Sequence, residues 1–474
     1  MRKKHTGLKI VLIVLMLLFV AASALMVKLC IDLATDVPET APAQSDDTIT
    51  LPTRPAETTE ATEAPTETTQ PQPEHVVSTA TIAAQGDLLM HAPVWRQDYN
   101  SICSLGNGVY DFTPIFKYLK PYTTGYDYAL ANLETTFGGD GYKYQGNPEF
   151  NTPDSFMDAL VDTGYDMLLT ANNHAADTRG DGILRTVETI RGAGLTALGT
   201  QLNDEEDKFA VAEINGIKVG MVCYTYGYSV NGDWTKFSLN GLAQIPYTGQ
   251  VNFFMNNNTQ KLYDAAQQHM EEMREAGAEA TVFYIHWGVE YNIVENAKQN
   301  EIAQKLCDMG YDVIVGGHPH VVQPVELLTS TTNPDHKTIC IYSLGNAVSN
   351  QRVGVSDLFP RAGYTEDGAL FTVTFEKYSD GTVYVADADV MPTWVNKHST
   401  SGKWEYNILP LYKEKEDQWQ TMFEIPDATV NAAKKSYERT MSIVGEGLLQ
   451  VKEHLEQEKL YRDAYYLEQV KGNG

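Results

Sequence analysis

Basic residues and cysteines are both scarce in this chain, and each shortage removes a class of function. Lys and Arg together number 35 against 62 Asp and Glu, a formal charge of −27. Nucleic-acid binding needs clustered Lys and Arg against phosphate, so this balance argues against nucleic acid as a partner. It also disfavours broad surface binding of any polyanion. An anionic substrate would need local positive charge, and bound metal is one way to supply it. Five cysteines in 474 residues, without a CxxC spacing, speak against a disulfide framework and against a zinc ribbon. Whether two of Cys103, Cys223, Cys307 and Cys340 pair is left open by the spacing. No G-x-S-x-G elbow occurs, which disfavours a serine hydrolase. The length suits one catalytic domain with attachments.

Before that domain come two segments of different character. Arg2, Lys3, Lys4 and Lys9 precede Ile10 to Val27, a run free of charged residues and rich in Leu, Val, Ile and Met. The run is long enough to cross a bilayer as a helix, and the basic flank places the N-terminus in the cytoplasm. Ala22-Ser23-Ala24 matches a signal-peptide cleavage site, but it lies inside the apolar run, so residues 1–33 read as an uncleaved anchor. Lys28, just before Cys30, argues against a lipoprotein. Residues 34–77 alternate Pro, Thr, Glu and Ala and lack the large apolar groups that would offset the entropy of ordering. They read as an acidic, extended tether. The expected location is therefore the cell membrane, single-pass, with the folded domain extracytoplasmic.

The domain, expected over 78–395, repeats one pattern: a strand, a polar loop, a helix. A strand before Gly86-Asp87 leads to a loop with His91. Tyr128 to Ala131 ends in Asn132-Leu133-Glu134, and Asp166 to Thr170 ends in Asn172-Asn173-His174. Phe209–Ile214 and Ile217–Tyr224 flank an Asn-Gly hairpin turn. Residues 229–258 read as a long surface insertion. Ala280 to Ile285 delivers His286, and Thr338 to Tyr342 ends in Ser343-Leu344-Gly345-Asn346. Helices are expected over Phe112–Leu119, Pro153–Val161, Asp181–Arg191, Thr259–Ala276 and Asn296–Met309. Leu370–Tyr378 and Val383–Val390 form a further hairpin. The whole suggests two sets of strands with helices outside. A helical extension is expected over 396–474, with Leu448, Val451, Leu455, Tyr461 and Tyr465 as its apolar stripe. It reads as packed on the domain, with a partner-binding helix as the alternative.

The most informative stretch is Val313-Ile314-Val315-Gly316-Gly317-His318-Pro319-His320. A β-branched run suits a strand covered on both faces, and the glycines let the chain turn. Two imidazoles then stand at a strand's carboxyl end, where open α/β sheets bind ligands. Taken singly, Asp87 would pass for a helix cap, Glu134 for a surface charge and His286 for a satisfied core histidine. All of them together at strand ends form a mixed oxygen and nitrogen donor set, which suits Mn, Fe or Zn better than Mg or Ca.

The ordered motifs GDLLMH, NLE, NNHAAD, HWGVEY, GGHPHVVQPVE and YSLGN resemble the bacterial capsule-synthesis protein CapA family over roughly residues 78–350. That family is associated with poly-γ-glutamate capsule synthesis and export, and is similar to the calcineurin-like metallophosphoesterases. The resemblance implies a four-layer α-β-β-α sandwich and two divalent transition metal ions. Asp87 and His320 would hold one ion. Asn173, His286 and His318 would hold the other, and Glu134 would bridge them. His174 would be the catalytic histidine, with His91, Asn132, Asp177 and Asn346 lining the site. Two features depart from the phosphoesterase pattern: Leu89 stands where a metal-binding histidine belongs, and glutamate replaces the usual bridging aspartate. Both resemble CapA itself. The implied function is a membrane-anchored component of capsule assembly with a metal-dependent, hydrolase-like site. Other capsule-synthesis membrane proteins and an anionic polymer would be its partners. The alternatives are an extracytoplasmic metallophosphoesterase acting on a cell-wall or nucleotide phosphate ester, and a catalytically inactive scaffold.

Overall fold

The computed structural model describes residues 75–230, 233–240, 243–246 and 249–472. The expected anchor, and the tether up to residue 74, lie outside them. No helix among the described residues is long and apolar enough to cross a membrane.

The fold is mixed α/β, built on two large sheets. In the first, the parallel strands Val76–Leu88, Tyr128–Asn132, Met167–Leu169 and Thr196–Leu198 lie side by side. Val76–Leu88 also pairs antiparallel with Asp367–Tyr378, and the sheet continues through Val383–Thr400 to Lys403–Pro410. The second sheet has a parallel centre of Ile217–Val230, Ala280–His286, Val313–Gly317 and Lys337–Ile341. Val325–Thr329 closes one edge antiparallel.

The central strands are apolar on both faces because both faces are covered. In Ala280–His286, Val282 and Tyr284 point to the core between the sheets, while Phe283 and Ile285 join the helix-covered face. The shared core sets Ile82, Ala84 and Leu130 of the first sheet among Val219, Met221, Val313 and Val315 of the second. The outer face of the first sheet packs Ala129, Ala131 and Leu168 with Phe156 and Leu160 of the helix Ser155–Thr163 and with Val187 and Ile190 of Arg179–Gly192. The second sheet is covered by Gln260–Glu275 and Ala297–Asp308. The latter starts at a capping box, in which Asn296 and Gln299 satisfy each other's backbone N–H groups. The cysteines Cys103, Cys223, Cys307 and Cys340 are free and buried.

Three expectations need correction. The helix expected over Phe112–Leu119 is two single turns, Thr113–Phe116 and Lys120–Thr123, because Pro121 lacks an N–H and restricts the residue before it. The stretch read as a surface insertion contains strands: Asp233–Leu239 and Phe253–Met255 both pair with Ile217–Val230. The boundary at 395 falls inside the strand Val383–Thr400, and helical turns resume only at Lys413.

The C-terminal helix Asp427–Gly472 packs on the domain. Val444, Leu448, Val451 and Leu455 enter the core shared by the two sheets, whereas Tyr461 and Tyr465 of the expected stripe are exposed. The helix backbone comes so close to Val325–Thr329 that a Cβ at Gly447 would lie 1.8 Å from the Val325 carbonyl oxygen. At Gly445 a Cβ would meet only Met441 Cε, at 3.7 Å. The two glycines should therefore respond oppositely to alanine. Gly445→Ala gains helix propensity and should stabilise by about 0.5–1 kcal/mol. Gly447→Ala forces the helix off the strand and should destabilise by roughly 1–3 kcal/mol. Thermal denaturation of the two variants checks the sign of each change.

Candidate metal centre

The parallel strands of both sheets end at the same level. Asp87 pairs with Asn132, and Asn132 in turn with Leu169. In the other sheet His286 pairs with Gly317. Every polar loop that follows these strands therefore opens towards one place. Gly316 makes this approach possible, since a Cβ there would sit 2.0 Å from the Tyr342 carbonyl oxygen and 2.5 Å from Trp287 Nε1. Immediately after it, His318 and His320 both adopt positive φ, 96° and 56°. Such a conformation is rare outside glycine and is typically kept where surrounding structure enforces it at a functional site.

Asp87, Glu134, Asn173, His286, His318 and His320 are all buried here. His320 Nδ1 lies 3.1 Å from Asp87 Oδ2. Glu134 Oε1 stands between two imidazoles, 3.6 Å from His286 Nε2 and 3.8 Å from His320 Nε2. His286 Nε2 is also 2.9 Å from Asn173 Oδ1. Ligand atoms of Asp87, Glu134 and His320 all fall within 4.8 Å of one another, and so do those of Glu290, His318 and His320.

Asparagines decide which carboxylate oxygens face this space. Asn172 Nδ2 donates to Asn132 Oδ1 at 3.1 Å and to the Leu133 carbonyl at 2.8 Å, which fixes the Asn132 amide. Asn132 Nδ2 then donates to Asp87 Oδ1 at 2.8 Å and approaches Glu134 Oε2 at 3.4 Å. Asp87 Oδ2 and Glu134 Oε1 remain for the histidines. Asn346 acts from the other side: its Nδ2 is within hydrogen-bond distance of the His320 and Thr365 carbonyls, at 3.2 and 2.9 Å.

The electrostatics fit a cation. Among the described residues no lysine or arginine pairs with Asp87 or Glu134; histidines are their charged-type partners. Burial, reinforced by Asp87, Glu290 and Asp177, pushes the Glu134 carboxyl well above its usual range. Burial and neighbouring histidines push His286 and His318 well below theirs, which keeps both imidazoles neutral with a lone pair free to bind. Glu134 Oε1 and His318 Nδ1 are buried without a hydrogen-bond partner. Buried carboxylates are normally paired or coordinate metal, so the residues present fit divalent ions.

The other expected residues surround this cluster. His174 Nδ1 is 2.7 Å from Asp177 Oδ2, which also accepts from the Phe150 backbone N–H at 2.6 Å. The His174 backbone N–H donates to Asn172 Oδ1 at 3.1 Å, which ties it to the asparagine that fixes the Asn132 amide. His91 joins neither donor group; its Nδ1 lies 3.3 Å from the Asn350 backbone N, and burial, with His320 next, pushes it down to about 3. Leu89 is buried, and its backbone N–H donates to the Val348 carbonyl at 3.0 Å. Glu290 was not singled out in the sequence, because one exposed acid in a loop carries little signal. Its place four residues after His286, in HWGVEY, was the available clue.

An α/β domain in which strands of two sheets end in a buried carboxylate–imidazole cluster defines the class: a two-sheet protein built around a donor set of metal-binding type. Residues 81–351 match the family described as bacterial capsule synthesis protein PGA_cap, and the chain belongs to that family. It is 27% identical over 315 residues to the PGA biosynthesis protein CapA of Bacillus subtilis (strain 168), which covers 65% of this chain and 73% of that protein. It is 26% identical over 293 residues to the capsule biosynthesis protein CapA of Bacillus anthracis, covering 60% of this chain and 62% of that protein. Among solved structures it is similar to the NAD nucleotidase of Haemophilus influenzae, with a TM-score of 0.37 and 12% identity over 80% of this chain and 68% of that one, a likeness too loose to bear on activity.

Because Asn132 touches both carboxylates, Asn132→Leu should weaken metal binding about 10–100-fold, the usual cost of losing a partner that orients a ligand. Equilibrium dialysis of the folded variant against Mn²⁺ or Zn²⁺ measures it.

Proposed function

We propose that this chain is a membrane-anchored, extracytoplasmic component of poly-γ-glutamate capsule assembly with a dinuclear, hydrolase-like metal site. The observation that carries the reading is the coincidence of the two findings above. The family match spans the whole buried donor set, and relatives over the same region are named for PGA and capsule biosynthesis. The layering of two sheets around a shared core, with helices outside, supports a four-layer sandwich of metallophosphoesterase type.

Asp87, Glu134 and His320, with Asn173, His286 and His318, would hold two divalent ions of Mn, Fe or Zn. When bound, such ions polarise an ester or amide oxygen and lower the pKa of water. The chain's own residues provide orientation and proton transfer. Asn132 and Asn346 hold the ligands in place. Asp177 accepts from His174 Nδ1–H, which leaves Nε2 as the atom that would take up a proton and then hand it to a leaving oxygen. That histidine–carboxylate pair favours a second reading, an extracytoplasmic metallophosphoesterase acting on a wall or nucleotide phosphate ester. An inactive scaffold of the capsule machinery would need neither His174 nor metal. An anionic polymer and other capsule-synthesis membrane proteins are the partners this reading requires.

The test is complementation of a deletion strain. His174→Ala should retain metal but lose capsule support. In any hydrolytic assay it should fall by about 10²–10⁴-fold, the usual contribution of a general acid. If the variant is folded, metal-loaded and fully functional, His174 only orders the NNHAAD loop and has no part in the mechanism; if wild type hydrolyses nothing in a broad panel while deletion still abolishes capsule, the hydrolase reading fails. Topology is tested separately: a protease added to intact cells should release the domain by cutting within residues 34–74. Protection until lysis contradicts the extracytoplasmic placement.

A further inference from the structure

Glu290 is the acid in this region that the proposed assignment leaves unused. It follows His286 by one turn of loop and is solvent-exposed, unlike Asp87 and Glu134. A carboxylate oxygen of Glu290 and ring nitrogens of His318 and His320 lie within 4.8 Å of one another. Three details show that this convergence is built rather than incidental. The loop bearing Glu290 is tied to the histidine loop at both ends, by Trp287 N–H to the Gly317 carbonyl at 3.1 Å and by Tyr291 N–H to the Pro319 carbonyl at 2.8 Å. Tyr291, His318 and His320 all hold positive φ, so the backbone is bent on both sides of the contact. His318 Nδ1 is buried and has no hydrogen-bond partner.

We propose that Glu290 is a ligand of the centre on its open side, so that the donors divide into an inner and an outer cation position. The inner position is Asp87, Glu134 and His320, all buried. The outer position is the one that His318 shares with Asn173 and His286, to which Glu290 adds a solvent-facing carboxylate converging with His318 and His320. The inference rests on the metal reading above and refines it: the two divalent ions are inequivalent. A cation held partly by a solvent-facing carboxylate exchanges with solution, whereas one enclosed by two desolvated carboxylates is retained. His320, common to both sets, couples the two positions, and Glu290 stands at the entrance where an incoming substrate oxygen would arrive.

The experiment is Mn²⁺ binding to the purified full-length chain, followed by isothermal titration and by electron paramagnetic resonance of the free ion. The wild-type chain should show two classes of site, and Glu290→Gln should weaken the weaker class at least tenfold while leaving the tighter class unchanged. Loss of an orienting partner alone costs about 10–100-fold, and loss of a ligand is expected to cost no less. Asn132→Leu should show the reverse pattern, with the tighter class affected first. Glu290 is exposed, so the variant should melt at the wild-type temperature in the absence of metal. Two-class binding unchanged by Glu290→Gln overturns this inference and leaves the dinuclear reading standing. A wild-type chain that binds no divalent ion overturns both.

Discussion

Two carboxylates without a cationic side chain beside them set the terms for this structure. Asp87 and Glu134 are wholly buried, and their nearest charged-type neighbours are the histidines His286 and His320. Removing a carboxylate from water without a counter-charge is among the costliest steps in folding. The sequence has few basic residues to spare, and none is placed here among those described. Instead the chain supplies imidazole nitrogens and amide groups from five strand ends and loops, at Asn132, Asn172–Asn173, His286, His318–His320 and Asn346. That choice makes sense if the counter-charge is a cation from solution. The same logic accounts for the asparagines, which satisfy the outward carboxylate oxygens and leave the inward ones free.

The convergence depends on strand register. Side chains from Asp87, Glu134, Asn173, His286 and His320 meet only because both sheets run their parallel strands in the same sense and end them together. The core between the sheets holds that alignment. Its residues from the two sheets interleave, so that a shift of one sheet against the other would leave voids or overlaps. The site is thus a consequence of sheet packing. Only its last adjustments, the bent backbone at His318 and His320, are local.

Much of this was legible in the sequence, for identifiable reasons. The strands Ala280–His286 and Val313–Gly317 are apolar without interruption because both faces are buried, and such runs stand out. The hairpin about Asn215-Gly216 follows from turn chemistry. Ligand-type residues directly after such strands marked the cluster before any geometry was known. What escaped notice lacked a local signature. Glu290 is one acid among many, and it matters only because Tyr291 and Trp287 anchor its loop to the HPH turn. The strands Asp233–Leu239 and Phe253–Met255 are short and lie within an Asn- and Gly-rich stretch, and are recruited by pairing with Ile217–Val230 rather than by their own pattern. The roles of His91 and Asp177 could not be separated by sequence, since both are polar residues near a strand end. Asp177 turns its carboxylate to His174, whereas His91 is engaged by the Asn350 backbone.

The C-terminal helix links to the site by a route that composition does not reveal. Arg439 grips Asp367 through two bonds of 2.7 and 2.6 Å, and the Ser436 hydroxyl donates to the same carboxylate at 2.6 Å. Burial raises Asp367 to about 6 despite that pairing, so desolvation outweighs the arginine and the contact is better understood as a locator than as a source of stability. What it locates is the start of the strand Asp367–Tyr378. Gly368 of that strand bridges to Gly345, and Thr365 just before it offers its carbonyl to Asn346. Asn346 in turn holds the His320 carbonyl. A helix outside the ordered motif set is thus joined, through one buried ion pair and one asparagine, to the histidine shared by both groups of donors. The helix therefore belongs to the domain's working structure, and its packing across both sheets ties the position of His320 to the integrity of the whole sandwich.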